Sequence, residues 1–573
     1  MTNEEKNTLQ SLLKMYIEEQ EGKKSEDAAS IVEDIFNGKN TVEEAEEKFS
    51  VTENGALAYK TSGKVFVDFI FNLNSFRKAE GVDLEKLIDR FIECYKENRE
   101  LAWKMLFYIG DVRGGAGERK AFFECLKALI IEAQYRETKE MSHEIACMLK
   151  FIPEYTRWDI AIKVFDFVHR DGNNSIIYSN VVYMIHNQLV EDVANAIAGN
   201  PISLLAKWMP SINATSVETR RLAKKVMVEI CQYSNDASGE KNYRKMLSML
   251  RANLKVVEKS MTANEWSEID YSAVPSKASL NLRNAFKNHD PERYGAYINA
   301  VSEGRAKINV SVTEPHEIVS KILITSWRRG ITTNLPKDPT LVQIWNNLSA
   351  IVDVSNTIVV ADTSGSMSTV CSGNNVTCLD VALGLAVFTA ERLSGPFHNK
   401  FITFASRPNF ITLHDGDIYD KLNGIPMLID NTNIEAVFDL LAQAYATCKA
   451  RKTDMPKNIL ILSDMQFDKA RTGGEDEEVL FKTIKRKWDK KTSGEVPMPK
   501  LIFWNLDSKV RNTIPVTENE SGLILMSGFS TNMLKMAMSG QFDPFEALLE
   551  TLNSPRYEKI GYEYTCSTYD NVL

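Results

Sequence analysis

Cysteine and histidine are scarce in this chain, at eight and seven of 573 residues. No two cysteines form a CxxC pair and no histidines fall in an HExxH pattern. A disulfide framework, a zinc ribbon and zinc-hydrolase chemistry therefore have no support. Cys371 and Cys378, the nearest pair, lie in a polar stretch and are expected to be reduced. Long apolar runs are missing too: the longest, such as 358–361, are strand-sized, far below the ~18 residues that span a bilayer. The opening MTNEEKNTLQSLLKMYIEEQEGKK carries acidic groups and no long apolar core, so neither a secretory signal nor a mitochondrial presequence is read there. A cytoplasmic location without membrane association is expected. Positive charge is not in excess either. A formal net charge of -9 gives no global basic field for non-specific nucleic-acid binding, which leaves only local basic patches.

What remains is globular. Hydrophobic residues at 44% and charged residues at 25% exclude wholesale disorder, and 573 residues exceed one ordinary domain. Three segments are expected. Residues 1–54 read as an acidic helical appendage. Residues 55–350 read as an all-α region in which apolar positions recur three and four apart, for example over 84–98, 101–109, 120–134, 217–233 and 242–257. Breaks such as Gly114-Gly115-Ala116-Gly117 and Asp171-Gly172-Asn173-Asn174 suit the connections of antiparallel neighbours. No fixed-period repeat is present, so a bundle or an irregular helical solenoid is expected.

From 351 to 573 the pattern becomes α/β. TIVVA (357–361), KFITF (400–404), NILILS (458–463), KLIFW (500–504) and LILM (523–526) are short apolar runs. Helices read as amphipathic lie between most of them, at 380–393, 434–450 and 477–487. Strands buried on both faces and alternating with helices predict a mostly parallel, doubly wound sheet. An edge strand is expected at 410–413, and a turn-rich surface segment at 416–424.

The first buried strand ends in Asp362-Thr363-Ser364-Gly365-Ser366. Ligands of open α/β sheets sit beyond the carboxyl ends of the strands near the switch point, where this loop falls. Its D-x-S-x-S spacing lets one loop present a carboxylate and two hydroxyls, hard oxygen donors of the kind magnesium prefers. Thr432 precedes the helix that begins near 434, and Asp464 ends the strand NILILS. Both can reach the first loop. The bland alternative is that these residues only cap helices and close turns.

This set resembles the metal-ion-dependent adhesion site (MIDAS) of von Willebrand factor type A (vWA) domains. The resemblance implies a Mg2+ or Mn2+ ion held by Ser364, Ser366 and Thr432, with Asp362 and Asp464 binding it directly or through water. It also implies that an acidic residue of a protein partner completes the coordination. The segment from Ser368 to Leu379 is longer than the usual step into the next helix, and is expected to cap, gate or reshape the ion face.

Several segments of the helical half, including LAWKMLFYIGDVRGGAGERKAF, FIPEYTRWD and YRKMLSMLRANLKVVEKSMTANEW, together with YSAVPSKAS, EPHEIV and ILSDMQFD, resemble an uncharacterised family of vWA-containing proteins of fungi, plants, bacteria and large DNA viruses. The order of helical repeats followed by a vWA domain is distantly similar to the Ro RNA-binding proteins of the TROVE class. The resemblance implies a HEAT/TROVE-like helical region, then a Rossmann-like vWA domain. It makes structured RNA a possible partner and Arg113, Arg119, Arg220, Arg221, Lys224, Lys225, Arg244, Arg251, Arg328 and Arg329 candidate phosphate contacts, with Trp327 as a stacking surface. Each also reads as a solvated or ion-paired helix face.

Enzymatic readings are weak. No GxSxG elbow occurs, no histidine is placed near Ser364, and the glycine loop lacks the GxxxxGK[ST] form of a nucleotide site. The Lys482–Lys491 run reads as a solvated helix face, with Trp488 leaving a nucleic-acid role open. The expected function is non-enzymatic binding: RNA on the helical repeats, and a magnesium-dependent domain that engages an acidic partner, a neighbouring copy or the chain's own helical half. The competing expectation is a protein-assembly scaffold, viral or phage structural proteins included, without nucleic-acid binding.

Overall fold

The computed structural model describes residues 49–51, 57–59 and 62–560, except 137–138, 172–174, 255, 327–329, 349–352, 373–374, 404–406, 428–433, 449–450, 465–476, 507–522, 529–530 and 534–542. Residues 1–48, most of the expected acidic appendage, lie outside the described residues. Two short strands at Phe49–Val51 and Leu57–Tyr59 pair antiparallel.

The helical part is built from α1 (Val65–Phe71), α2 (Gly81–Glu97), α3 (Arg99–Gly110), α4 (Arg119–Tyr135), α5 (Lys139–Leu149), α6 (Trp158–Asp171), α7 (Ser175–Ala198), α8 (Val217–Lys225) and α9 (Ala237–Asn253). It continues through α10 (Ser276–His289), α11 (Pro291–Ser302), α12 (Pro315–Ile322) and α13 (Pro339–Asn346). The region expected to be all-α is thus not purely so: besides Leu57–Tyr59, the strands Leu323–Ser326 and Gly330–Thr333 pair antiparallel between α12 and α13. The helix starts are locally encoded. Asn98, Ser216, Asp236 and Asp338 cap α3, α8, α9 and α13 by accepting backbone N–H bonds. The helix expected over 217–233 instead breaks after Lys225 into a π-helical turn, Val226–Ile230, which buries Val226, Met227 and Ile230.

The α/β part carries strands β1 (Thr357–Ala361), β2 (Lys400–Thr403), β3 (Phe410–Thr412), β4 (Asn458–Ser463), β5 (Lys500–Asn505) and β6 (Leu523–Ser527). Helices α14 (Cys378–Ala390), α15 (Ile434–Cys448), α16 (Glu477–Thr492) and α17 (Pro544–Leu552) accompany them. The sheet order is β6-β5-β4-β1-β2-β3, parallel throughout except for the antiparallel β2–β3 pair. This is the doubly wound arrangement, with its switch point between β1 and β4.

Alternation along the strands explains why they read as unbroken apolar runs. Val359, Ala361, Leu460, Leu462, Ile502 and Trp504 belong to the core shared with the helical part. Ile358, Val360, Ile459, Ile461, Leu501 and Phe503 form a second core on the other face with Val437, Phe438 and Leu441 of α15 and Trp488 of α16. Trp488 is thus no stacking surface: it is buried, and its Nε1 donates to the Val496 carbonyl at 2.8 Å. The basic run around it keeps Lys485, Arg486 and Lys487 exposed, as a solvated face would.

Two expectations of local pattern give way to packing. Helix α14, read as amphipathic, is buried along its whole length, because α12 covers the side that the sheet leaves open. A Cβ on Gly384 would lie 2.9 Å from the His316 backbone nitrogen, so the two helices meet backbone to backbone. Residues 416–424, read as a surface turn, contain a short helix, Ile418–Leu422, with Ile418, Tyr419 and Leu422 buried.

Helix α1 and the segment after α17 cross over between the two parts. Val67 and Phe71 of α1 join the core on the far face of the sheet, and the Asn74 side chain donates to the Asn505 carbonyl at 2.9 Å. In return, the segment after α17 packs on the helical part: Tyr557 stacks on Tyr155 with centroids 5.7 Å apart and meets Tyr108 edge-on at 5.9 Å. The Asp111 carboxylate accepts from Arg556 Nη2 at 2.7 Å, from Arg556 Nε and from the Tyr557 hydroxyl at 3.0 Å. The glycine loop is what admits this segment. A Cβ on Gly114 would lie 2.5 Å from Arg556 Nε, and one on Gly115 would lie 2.0 Å from the Tyr108 carbonyl oxygen. The loop is an interhelical turn, as its sequence context suggested.

Candidate metal centre at the switch point

Strand β1 continues the ladder one residue past its end, where the Asp362 N–H donates to the Leu462 carbonyl at 2.9 Å. The chain then turns sharply. Asp362 Oδ1 accepts from the Ser364 N–H at 2.9 Å, a local turn that short acidic side chains favour. A 3₁₀ turn over Gly365–Ser368 follows, anchored by buried Met367. This folds Ser364 and Ser366 to one side, their Oγ atoms 2.9 Å apart and both partly exposed.

Strand β4 delivers the opposing side. Leu462 pairs with Ala361 in register, so Ser463 and Asp464 stand beside Asp362 and Thr363. The Ser463 hydroxyl donates to Asp362 Oδ2 at 2.9 Å. Asp362 and Asp464 are 2% and 3% exposed, so two carboxylates share one buried corner. Burial, with repulsion from Asp464 beside it, holds the Asp362 carboxyl above the usual carboxylate range, while bonds from Ser364 and Ser463 oppose the shift.

Of the five expected ligands the structure therefore brings Asp362, Ser364, Ser366 and Asp464 to one place; Thr432 lies outside the described residues. Adjacent ligands of an octahedral ion with ~2.1 Å bonds stand about 3 Å apart. The two serine hydroxyls have that spacing and are open to solvent. Among the described residues no three His, Cys, Asp or Glu side chains gather as a metal site. The oxygen groups that the described residues bring to this corner are the hydroxyls of Ser364, Ser366 and Ser463 and the carboxylates of Asp362 and Asp464.

The segment from Ser368 to Leu379 contains a small hairpin, Val370–Ser372 with Val376–Thr377. Lys78 of the helical part reaches the Val370 carbonyl. No disulfide joins Cys371 and Cys378, as expected: their thiols bond to the carbonyls of Val376 at 3.4 Å and Leu506 at 3.2 Å. Thr377 and Asp380 form a reciprocal capping box that starts α14.

Sequence reasoning missed the polar row across the carboxyl ends of the strands. Ser463, Asn505 and Ser527 are register partners in neighbouring strands, all buried, and Asn74 binds the last two. The signal was present: each is the polar residue that closes an apolar run.

The basic candidates of the helical part are dispersed, and most are engaged. Arg113 donates to the Glu154 carbonyl at 2.8 Å, and Arg220 to those of Ala214 and Thr215 at 2.7 and 2.8 Å. Lys224 pairs with Glu240 at 3.0 Å, Lys225 with Asp166 at 3.2 Å, and Arg244 approaches Glu240 at 4.0 Å. Arg251 binds the carbonyls of Ala206 and Met209 and the Ser211 hydroxyl at 2.7–3.0 Å, closing a loop rather than facing a ligand. Arg221 is exposed, and Arg119 lies 3.8 Å from Asp159. Arg328, Arg329 and Trp327 lie outside the described residues. Among the described residues no helix is long and apolar enough to cross a membrane.

Two family models match the chain. Residues 356–561 match a domain of unknown function, DUF7788, and residues 150–349 match another domain of unknown function, DUF2828. Neither description names an activity. The uncharacterized protein L728 of Acanthamoeba polyphaga mimivirus is 28% identical over 540 residues, covering 88% of this chain and 87% of its own. A crystal structure of the RO (RSR) protein of Deinococcus radiodurans aligns with 85% of this chain and 99% of its own, at 12% identity and a TM-score of 0.42.

Proposed function

We propose that this protein is a non-enzymatic binding protein whose α/β part holds a Mg2+ or Mn2+ ion at the switch point, in the manner of the adhesion site of vWA domains. Ser364, Ser366 and Thr432 supply hydroxyl ligands, and Asp362 and Asp464 hold water ligands or bind the ion. The observation that carries this reading is the pair of serine hydroxyls 2.9 Å apart beside two buried carboxylates. With hydroxyls in front and few carboxylates in direct contact, the ion keeps positive charge that an acidic partner residue can satisfy. A cation bound there would keep both aspartates ionised, which is unsuited to proton transfer at neutral pH.

Calorimetric titration with magnesium or manganese tests the site. Heat of binding is expected for the natural protein and none for Asp362→Ala, with matched circular dichroism confirming that the variant folds. Equal heats from the two proteins would place the ion elsewhere.

RNA on the helical part is the second reading. It rests on Arg221, Lys241 and Lys245, exposed on α8 and α9, with Lys224 and Arg244 beside them also exposed but sharing Glu240. Phosphate contacts make affinity fall steeply with salt. Filter binding at several salt concentrations is expected to show that fall, and undetectable binding at low salt would remove this reading in favour of a protein-assembly scaffold.

A further inference from the structure

The turn Leu73–Arg77, the start of α4 and the start of α6 meet at the surface and gather three guanidinium groups, those of Arg77, Arg119 and Arg157. Their side chains are 22%, 42% and 32% exposed. Two carboxylates lie among them, and each is already taken. Glu118 accepts from Arg77 Nε at 2.9 and 3.0 Å. Asp159 accepts from Arg157 Nε at 2.8 Å and Nη2 at 2.6 Å, a two-pronged pair. Arg119 has no such partner: its Nη1 is 3.8 Å from Asp159, too long for a hydrogen bond. Burial, with Arg157 and Arg77 nearby, pushes the Arg119 pKa below its ordinary value.

Lys120, next in the chain, is spent on the backbone, its Nζ donating to the Ala79 carbonyl at 3.0 Å. Three guanidinium groups thus share two carboxylates, and the donors left over belong to Arg119, whose fork matches oxygen pairs of carboxylate and phosphate. Beside the cluster, Arg157 lies 4.2 Å over the ring of Trp208, which is partly exposed.

We propose that Arg119, flanked by Arg77 and Arg157, is the centre of a phosphate-binding site on the helical part. Arg119 gives its unused donors to the phosphate oxygens, and the flanking pairs stay intact while adding their field. The phosphate can come from free phosphate or from a polynucleotide backbone, for which Trp208 supplies a stacking platform for an unpaired base. The site does not depend on the cation centre; its polynucleotide form rests on the RNA reading, whereas binding of phosphate without the oligouridylate would support the site and remove that reading.

The full-length protein is titrated at low salt with inorganic phosphate and, separately, with an oligouridylate, and tryptophan fluorescence is followed. Arg119→Gln is expected to weaken binding by at least about tenfold, the scale of a lost charged hydrogen-bond pair. Asp159→Asn is expected to strengthen it, since a competing carboxylate is gone, and Trp208→Phe to remove the fluorescence change. Binding of both probes assigns the site to a phosphate group as such, and binding of the oligouridylate alone assigns it to a polynucleotide backbone; either, if lost in Arg119→Gln, supports the proposal. Neither probe binding the natural protein, or Arg119→Gln binding as well as the natural protein, would overturn it.

Discussion

Replacing Arg556 by alanine is expected to destabilise the protein by about 3–5 kcal/mol, and replacing Asp111 by alanine by less, about 1–3 kcal/mol. The asymmetry follows from where the two charges sit. Asp111 is fully buried, whereas 39% of the Arg556 side chain reaches solvent. Without Arg556 the carboxylate is left in the interior with no cation, only the Tyr557 hydroxyl and the Arg113 N–H donating to it. Without Asp111 the guanidinium can turn toward water and keep part of its stacking on Tyr155, 5.4 Å away.

The pair also holds the Tyr557 ring between Tyr108 and Tyr155, so its loss frees the segment that follows α17. Urea unfolding midpoints and the rate of proteolytic cleavage near residue 556 give the two readouts. Equal losses, or a larger loss for Asp111→Ala, would mean that desolvation of the carboxylate does not control this latch.

The second large effect is one of pH. His316 lies at the start of α12, against α14, and burial, with Arg77 and Lys277 adding positive charge, holds its pKa down to about 3 from 6.5. The folded protein therefore keeps this imidazole neutral while the unfolded chain takes up a proton. Its contribution is fully present above pH 6.5 and is lost as pH falls toward 3. At pH 5 the loss amounts to about 2 kcal/mol, at 1.36 kcal/mol for each pH unit below the unfolded value. Stability curves at pH 7 and pH 5 should differ by that much more for the natural protein than for His316→Gln. Identical slopes for both would show that His316 is protonated without cost in the fold.

The candidate centre was legible to different depths. Asp362, Ser364 and Ser366 fall within one turn of chain, so their convergence is a local property that spacing alone encodes. Asp464 is a hundred residues away, but it follows a buried strand, and a doubly wound order places that strand beside the first. Ser463 escaped notice because its role is not visible from its neighbours in sequence: the hydroxyl matters only once the register sets it 2.9 Å from Asp362 Oδ2. Trp488 is where the structure closes an alternative that the sequence leaves open. A tryptophan inside a basic run looks like a stacking surface until the helix is docked and that one position turns inward, onto Phe438. The helical part gave least. Basic residues on helices look alike in sequence, and only the fold shows that Arg251 is spent on backbone carbonyls while Arg119 keeps donors to spare.

By itself the sequence determined what depends on short-range pattern: a mostly helical region before residue 350, alternating strands and helices after it, and the sharp oxygen-rich turn that ends β1. Periodicity, capping and turn chemistry act over a few residues, and a reader of the chain has them in view. Tertiary structure alone decided what depends on which surfaces meet. It put α12 over α14 and so buried a helix that reads as two-faced, sent α1 to the sheet, and set Asp111 opposite an arginine 445 positions away. Burial and charge pairing are properties of the assembled interior, and no local window of sequence contains both partners.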